Sequence, residues 1–133
     1  MNRRNETALL RALPELAGLE EREVASLLPH FDEVRVAPGA TLAHAGRPAT
    51  AYLVVLAGSL EAKGAHGPGR IHAGQSVGWD AMWNRGCSAT TVTTAEPSRL
   101  LVMGRAQFRA VRALRSRIEE GPRPRTVSRR GPR

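Results

Sequence analysis

The sequence predicts a mainly β domain, an antiparallel barrel or jelly roll with helices at both ends. Short apolar segments, several of them alternating with a two-residue period, recur through the middle of the chain between closely spaced turns rich in glycine and proline. Leucine-rich segments with helical spacing precede these strands, and an arginine-rich amphipathic segment follows them. The chain has 133 residues, which fits a single domain with one core.

Two short helices are predicted before the first strand. The apolar face of the first helix consists of Leu9, Leu10, Leu13 and Leu16. Pro14 would end or kink this helix, because proline lacks the N–H group that a helix interior needs. The second helix is predicted over residues 20–29, and the glutamates in its first turn favour the positive end of the helix dipole. Its buried stripe consists of Val24, Leu27 and Leu28.

Strands are predicted between clusters of turn residues. Their ranges are 31–36, 41–44, 52–56, 59–63, 70–72, 89–95 and 99–103. Pro38-Gly39 supplies the first turn, and the glycines and proline at residues 64–69 predict a hairpin loop. The predicted order is therefore two helices, about eight short strands and a final helix.

The final helix is predicted over residues 105–119. Its apolar face consists of Phe108, Val111, Leu114 and Ile118. Gly121-Pro122 would stop this helix, and the residues that follow contain too little apolar surface to fold. The predicted organisation is one domain at residues 1–119 and a basic, disordered tail at residues 120–133.

The net charge of +8 is confined to the C-terminal end of the chain. Residues 1–104 hold 10 basic and 10 acidic side chains, whereas residues 105–133 hold 10 arginines and two glutamates. The body of the domain therefore gives no general argument for nucleic-acid binding. Two interpretations of the tail stay open: a weak, salt-dependent contact with a polyanion or anionic lipid, and a solubilising extension without a partner.

The sequence also disfavours membrane-spanning and secreted proteins. No apolar run reaches the roughly 20 residues of a membrane-spanning helix. The polar N-terminus does not resemble a secretory leader. The single cysteine, Cys87, cannot form an internal disulfide, so we expect a cytoplasmic protein. We expect the Cys87 thiol to be a buried or half-buried structural group.

No catalytic or metal-binding motif stands out, so the sequence does not predict an enzyme. Metal-ligand spacing is absent from the candidate ligands His30, His44, His66, His72 and Cys87. The glycines at positions 64, 67 and 69 lack the following helix and the Lys-Ser/Thr pair of a phosphate-binding loop. A hairpin loop explains these glycines better.

The order of the elements and the positions of several residues resemble one known family. The matching residues are Leu9-Leu10 through Leu19, Ala37-Pro38-Gly39, Tyr52-Leu53-Val54 with Gly58, Gly74, Gly78, and Arg99-Leu100-Leu101-Val102 with Arg105 and Phe108. Over residues 7–119 the chain resembles the cyclic-nucleotide-binding domain family of catabolite-activator-type transcription factors, protein kinase A regulatory subunits and gated channels. The resemblance implies an antiparallel, jelly-roll-like β-roll (a double-stranded β-helix) with N-terminal helices and a C-terminal helix.

In that family a phosphate-binding cassette, a short helix and loop between two strands, holds the ligand. Its pattern resembles Gly-Glu-x-Ala-Leu, then some intervening residues, then Pro-Arg-x-Ala-Thr-Val. This pattern aligns without a gap with residues 78–92. The resemblance thus implies the candidate ligand-binding residues Gly78, Trp79, Asp80, Ala81, Arg85, Ser88, Ala89, Thr90 and Thr91. The ligand implied is a cyclic nucleotide, cAMP or cGMP.

The chain departs from the cassette pattern at the two side chains that recognise the ligand. Trp79 stands at the glutamate position and Ser88 at the arginine position, with Cys87 in place of the proline. A charge-assisted hydrogen bond to a desolvated phosphate is worth roughly 1.5–3 kcal/mol. Its loss lowers affinity on the order of tenfold to over a hundredfold.

Three nearby side chains, Asp80, Arg85 and Trp79, each have two interpretations. Asp80 would accept the ribose hydroxyl or would cap the short helix. Arg85 would reach the phosphate or would be solvated at a loop tip. Trp79 would stack on the base or ribose or, with Trp83, would fill a pocket left without a ligand. Ser88 retains a hydroxyl that can donate.

Two functional hypotheses follow from the resemblance. The first is a stand-alone regulatory sensor with an altered cassette, which signals to an unknown protein partner or a second copy through the helix at residues 105–119. The alternative is a ligand-free β-roll that acts as an interaction or dimerisation module. About fourteen residues follow the final helix, so we expect no DNA-reading winged helix-turn-helix in this chain.

Overall fold

The structure, a computed structural model, describes residues 3–65 and 67–120, with the side chains of residues 4–65 and 67–114. The helices are α1 (Arg3–Arg11), α2 (Glu21–Ala25), α3 (Trp79–Trp83) and α4 (Arg105–Glu120), with 3-10 turns at Pro14–Leu16 and Leu28–His30. The strands are β1 (Asp32–Val36), β2 (Thr41–Ala43), β3 (Ala51–Ala57), β4 (Ser59–Gly64), β5 (Gly67–His72), β6 (Ser76–Val77), β7 (Thr90–Thr94) and β8 (Ser98–Gly104). The residues of the predicted disordered tail from 121 onward, and His66, lie outside the described residues.

The strands form two antiparallel sheets of four strands each, which confirms the mainly β roll with flanking helices. One sheet has the order β1-β8-β3-β6 and the other the order β2-β7-β4-β5. β3 and β8 pair through a long antiparallel register, and β4 pairs with both β5 and β7. The consecutive strands β3 and β4 therefore lie in different sheets, and the chain passes between the two sheets at Gly58.

β3 is buried on both of its faces, which explains its continuous apolar sequence. Tyr52, Val54 and Leu56 face the cluster formed with the helices, whereas Val55 belongs to a second cluster inside the roll. β8 alternates in the same way, with Leu101 on the helix side and Leu100 on the roll side. Both faces of these two strands therefore contribute to the core.

The N-terminal helices are shorter than predicted, but the predicted apolar residues of this segment are buried, except Leu9, which is half-buried. α1 ends at Arg11, before Pro14, which begins a 3-10 turn. α2 ends at Ala25 instead of continuing to residue 29, and Pro29 lies in a second 3-10 turn, where its missing N–H costs nothing. A capping box between Glu20 and Glu23 starts α2.

The observed strands differ from the predicted ones at the β4–β5 hairpin and at β6. β5 begins at Gly67, so residues predicted as loop are paired along the strand, with Pro68 opposite Lys63. Pro68 is tolerated because β5 is an edge strand of its sheet. β6 was not predicted, since its two residues are too few to show a period, and it pairs with Leu53 and Val54.

α4 confirms the predicted C-terminal helix. It spans Arg105–Glu120, and Phe108, Val111 and Leu114 are buried as expected. The side chain of Ile118, also predicted on this face, lies outside the described residues. Within the described residues, no helix combines the length and apolar composition of a membrane span.

Replacing Gly58 by alanine is expected to destabilise the domain strongly. Gly58 has a φ of +92°, and an added Cβ would clash with Ser98 Oγ and would lie 2.6 Å from the Pro97 carbonyl oxygen. We expect Gly58→Ala to lower the free energy of unfolding by about 3 kcal/mol or more, measured by urea denaturation.

Gly39→Ala is the matched control, because Gly39 has a similar φ of +87° with no atom within 4 Å of the added Cβ. It should cost only about 1–2 kcal/mol, the backbone strain alone. Equal losses in the two variants would show that the close approach of Gly58 to β8 does not constrain the fold.

Candidate functional site

The short helix α3 and the loop after it are held in place by backbone contacts. Gly78 precedes α3 with a φ of +100°, and an added Cβ would lie 2.6 Å from the Ala51 carbonyl oxygen. At the other end, the Gly86 N–H donates to the Ala81 carbonyl at 2.8 Å, and Arg85 takes a left-handed φ of 54°. These bonds form a Schellman-type ending. Backbone contacts therefore fix both ends of α3.

All five aromatic residues of the chain form one connected cluster around Tyr52. Tyr52 lies 6.0 Å from Phe31, 5.4 Å from Trp79 and 5.9 Å from Phe108 between ring centroids. Trp79 stacks on Trp83 at 5.6 Å, and both tryptophans contact Phe108. Such pairs stabilise packing beyond simple burial of area. Because Phe108 belongs to α4, the cluster joins α3 to the C-terminal helix.

Arg112 forms a second link between α3 and α4. Its guanidinium carbon lies 5.1 Å from the centroid of the Trp83 ring, a cation–π contact. Its Nη2 donates to the Met82 carbonyl oxygen at 3.1 Å. A displacement of α3 would therefore change contacts of α4 directly.

A carboxylate lies at the centre of a small polar cluster below α3. The Tyr52 hydroxyl donates to Glu15 Oε2 at 2.7 Å, and the Ser76 hydroxyl donates to the same oxygen. Burial, and then the hydrogen bond and negative charge of Glu15, raise the pKa of the Tyr52 phenol far above its ordinary value. The phenol is therefore a hydrogen-bond donor at neutral pH.

A cleft of about 590 Å³ lies beside α3 and brings together seven of the nine predicted site residues. Those seven are Gly78, Trp79, Asp80, Ala81, Ser88, Ala89 and Thr90. Pro14, Glu15, Ser76 and Val77 complete the lining. The charged groups among these residues are the carboxylates Glu15 and Asp80, so the cleft is acidic.

A second cavity of about 240 Å³ adjoins this cleft, and its lining includes a positively charged side chain. The two cavities share Val77, Gly78, Ala81 and Ser88. Arg47 and His44 line the second cavity. The Ser88 N–H donates to the Arg47 carbonyl at 2.8 Å, so Arg47 is the direct backbone neighbour of the position where the cassette pattern has arginine. Together the two cavities provide acidic and basic groups around one helix.

The polar side chains of the predicted site are placed as follows. The Ser88 hydroxyl donates to the Thr90 carbonyl at 2.6 Å, so its proton is already used within the loop. Asp80 is exposed at the second position of α3, whose N-cap is Gly78, so the capping interpretation of Asp80 is wrong. The Thr91 hydroxyl accepts from the Ala45 N–H at 3.0 Å and lies outside both cavities.

Arg85 does not line either cavity. It is exposed and lines a separate cleft on the α4 side of α3. The structure thus separates Arg85 from the other predicted site residues, except for Ala81, which lines both clefts.

Sequence reasoning missed Glu15, Ser76 and Arg47. Glu15 lies 64 residues before Trp79 along the chain, and Arg47 lies 41 before Ser88. The one signal in the sequence was the turn at residues 45–48, which contains Arg47. We interpreted this turn only as a connection between strands. Proximity across the roll depends on strand pairing, such as the bridge between Pro48 and Cys87. Cys87 itself is exposed, so the expected burial of its thiol is wrong.

Comparison with protein families gives one match. Residues 33–114 match the cyclic nucleotide-binding domain. That segment contains all of β1 except Asp32, the strands β2–β8, α3 and most of the described part of α4. Comparison with curated protein sequences gives no match.

Solved structures with the same fold include regulatory domains. The regulatory domain of Toxoplasma gondii PKA in a co-crystal with cAMP has a TM-score of 0.74 and 19% identity, and the match covers 88% of this chain and 48% of that chain. The N-terminal domain of a transcriptional regulator from Streptomyces coelicolor has a TM-score of 0.69 and 22% identity, with 84% and 87% covered. The regulatory subunit of a cAMP-independent protein kinase A from Trypanosoma cruzi, bound to guanosine, has a TM-score of 0.70 and 20% identity, with 90% and 46% covered.

The buried Tyr52 phenol predicts a specific loss of stability at alkaline pH. Its pKa is raised in the folded chain above the unfolded value of about 10. The unfolded chain therefore releases this proton above pH ~10 while the folded chain keeps it, and unfolding becomes more favourable as the pH rises. The stability that the protonated Tyr52 phenol contributes is fully present below pH ~10. Above pH ~10 it is lost at up to about 1.4 kcal/mol per pH unit.

The measurement is urea denaturation from neutral to alkaline pH, with Tyr52→Phe as the comparison. The variant should lose stability less steeply above pH ~10, because its side chain cannot ionise. Tyr52 is the only tyrosine, so tyrosinate absorbance reports on it alone. Tyrosinate appearing near pH 10 in the folded protein would contradict the burial of this phenol.

Proposed function

Since the chain belongs to the cyclic nucleotide-binding domain family, we propose that it is a regulatory domain that binds a cyclic nucleotide beside α3 and signals through α4. The open cleft of about 590 Å³ at α3 carries the proposal. Its volume lies within the range of about 300–1,000 Å³ that is typical of small-molecule sites. Trp79 lines this cleft without filling it.

The phosphate would be recognised by Arg47 instead of an arginine at position 88. Arg47 lines the cavity that shares Gly78 and Ser88 with the cleft. No ion pair or hydrogen bond engages its guanidinium among the described residues, so its N–H groups are available to an anion. A guanidinium beside a cyclic phosphate would form a charge-assisted, potentially bidentate hydrogen bond.

The ribose would be recognised by Glu15, which lies in the same cleft as Trp79. Two hydroxyl groups donate to Oε2 of Glu15, and this leaves Oε1 as an acceptor for a ribose hydroxyl. Asp80 is the second carboxylate at the cleft and would accept a ribose hydroxyl in the same way. The Trp79 ring offers an apolar face to the base or ribose. The guanosine-bound Trypanosoma cruzi subunit supports the idea that this fold accommodates a nucleoside.

The signal would pass to α4 through the aromatic cluster. Trp79 contacts Phe108 at 5.3 Å, and Trp83 contacts Arg112. A ligand that binds one arrangement of α3 more tightly would shift the population of α4 positions toward that arrangement. A partner protein or a second copy of the chain would read the position of α4. The basic tail would at most add a weak contact with a polyanion.

A ligand-free interaction module is the second candidate. Trp79 and Trp83 stack at 16° and pack against the main core, and the Ser88 hydroxyl is already bonded within its loop. Under this alternative no nucleotide binds, and the tryptophan fluorescence is poorly quenched by iodide. A single nucleotide-binding experiment therefore distinguishes the two candidates.

The phosphate role of Arg47 is tested by substitution. Arg47→Gln should raise the Kd for cAMP or cGMP by about tenfold or more, since it removes one charge-assisted bond. Arg35→Gln is the matched control, because Arg35 is also exposed but lies on β1, away from both cavities. Binding is followed by tryptophan fluorescence in the full chain. Equal affinities in the two variants would contradict the role of Arg47.

The ribose role of Glu15 is tested with a changed ligand. The wild-type chain should prefer a cyclic nucleotide over its 2′-deoxy form, and Glu15→Gln should remove most of that preference. Tyr52→Phe controls for the loss of the internal hydrogen bond. Preference for the ribose form that survives in Glu15→Gln would assign the hydroxyl to another acceptor, with Asp80→Asn as the next variant.

A further inference from the structure

Four arginines line one cleft on the α4 side of α3. Arg85 comes from the end of α3, and Arg105, Arg109 and Arg112 come from α4. The cleft has a volume of about 320 Å³. Its remaining lining is Ala49, Ala81, Met82 and Phe108. The lining therefore carries four positive charges around an apolar floor.

Two of these guanidinium groups are held in place by backbone carbonyls. Arg105 Nε donates to the Ala49 carbonyl oxygen at 2.9 Å, and Arg112 Nη2 donates to the Met82 carbonyl oxygen at 3.1 Å. Each guanidinium has five N–H groups, and each of these bonds uses one of them. Both groups are thus positioned in advance but retain donors for a ligand.

Arg85 is placed by its backbone. Its φ of 54° lies in the left-handed region that favours glycine, and the Schellman-type bonds at the end of α3 hold it there. The long, charged side chain therefore starts from a fixed point at the edge of the cleft. Arg109, one turn after Arg105 on α4, completes the set.

No carboxylate balances this charge among the described side chains. Their two salt bridges join Glu20 to Arg22 and Glu33 to Arg99, and neither involves the cleft. The first turn of α4 holds no acidic residue, so the positive end of its helix dipole adds to the arginines. Four like charges close together repel one another, and a bound anion would relieve that repulsion.

We propose that this cleft binds a small anion carrying two or more linked phosphate groups. Guanidinium groups recognise phosphate oxygens through bidentate, charge-assisted hydrogen bonds. The four positive charges match a diphosphate or triphosphate better than a single phosphate. The four arginines line a single cavity of about 320 Å³, which favours a compact ligand over a nucleic-acid backbone. The cleft shares only Ala81 with the acidic cleft at Trp79, so this inference does not depend on the proposed function.

The test is a fluorescence titration of the full chain at constant ionic strength, because Trp83 lies under Arg112 and reports on the cleft. The probes are orthophosphate, pyrophosphate, tripolyphosphate, ATP, a DNA oligonucleotide and poly-glutamate. We expect tripolyphosphate and pyrophosphate to bind at least about tenfold more tightly than orthophosphate. ATP binding more tightly than tripolyphosphate would identify a nucleotide as the source of the phosphates, and the reverse order would identify an inorganic polyphosphate.

The double variant Arg85→Gln/Arg109→Gln assigns binding to the cleft. Neither side chain donates a hydrogen bond to the described fold, so folding should be unaffected, and Tm checks this. The Kd for tripolyphosphate should rise by about a hundredfold or more. Arg11→Gln/Arg35→Gln removes the same charge from exposed positions elsewhere, and its Kd should change less than about threefold. Arg85→Gly/Arg109→Gln is a further variant whose glycine suits the backbone at position 85.

Two results would overturn the proposal. Equal loss of affinity in the cleft variant and the control variant would assign binding to general charge, including the arginines of residues 121–133. Binding of the oligonucleotide or of poly-glutamate that requires Arg85 and Arg109, without binding of tripolyphosphate, would show a surface for a macromolecule instead.

Discussion

The contacts of Tyr52 connect the N-terminal segment, α3 and α4. Its ring touches Phe31 after the N-terminal helices, Trp79 on α3 and Phe108 on α4. Its hydroxyl donates to Glu15 in the first 3-10 turn. The ring is fully buried on the central strand β3. Because one rigid side chain contacts all of these elements, none of them can move far without changing the packing around the others.

The geometry of α3 and the polar groups around it are determined by different constraints. Gly78 is required by the close approach to the Ala51 carbonyl, and this requirement exists with or without a ligand. The charged side chains around α3 do not share this constraint. They lie in two groups, one acidic and one basic. Glu15 and Asp80 line one side, and the other side is lined by Arg85, Arg105, Arg109 and Arg112. The short helix thus separates an acidic cleft from a basic one.

Local patterns in the sequence predicted most of the fold. The continuous apolar run of β3 and the leucine stripes of α1 and α2 predicted which residues are buried, since burial on a strand or helix depends on short periods. The sequence did not predict β6, whose two residues show no period, or the start of β5 at Gly67, where the pairing with β4 outweighs the turn propensity of glycine and proline. Seven of the candidate site residues were brought together because the cassette is contiguous in the chain. Glu15 and Arg47 reach the site through tertiary packing, which no local pattern encodes.

The claim that a cyclic nucleotide binds beside α3 is tested most directly by thermal unfolding of the full chain. The ligands are cAMP, cGMP, AMP and GMP, each at millimolar concentration. A ligand at about 100 times its Kd adds roughly 2.7 kcal/mol of stability, which raises Tm by several degrees in a domain of this size. Binding of a cyclic nucleotide beside α3 predicts such a rise with a cyclic nucleotide and a smaller one with its noncyclic counterpart. Unchanged Tm with all four ligands would contradict it and would favour the ligand-free interaction module.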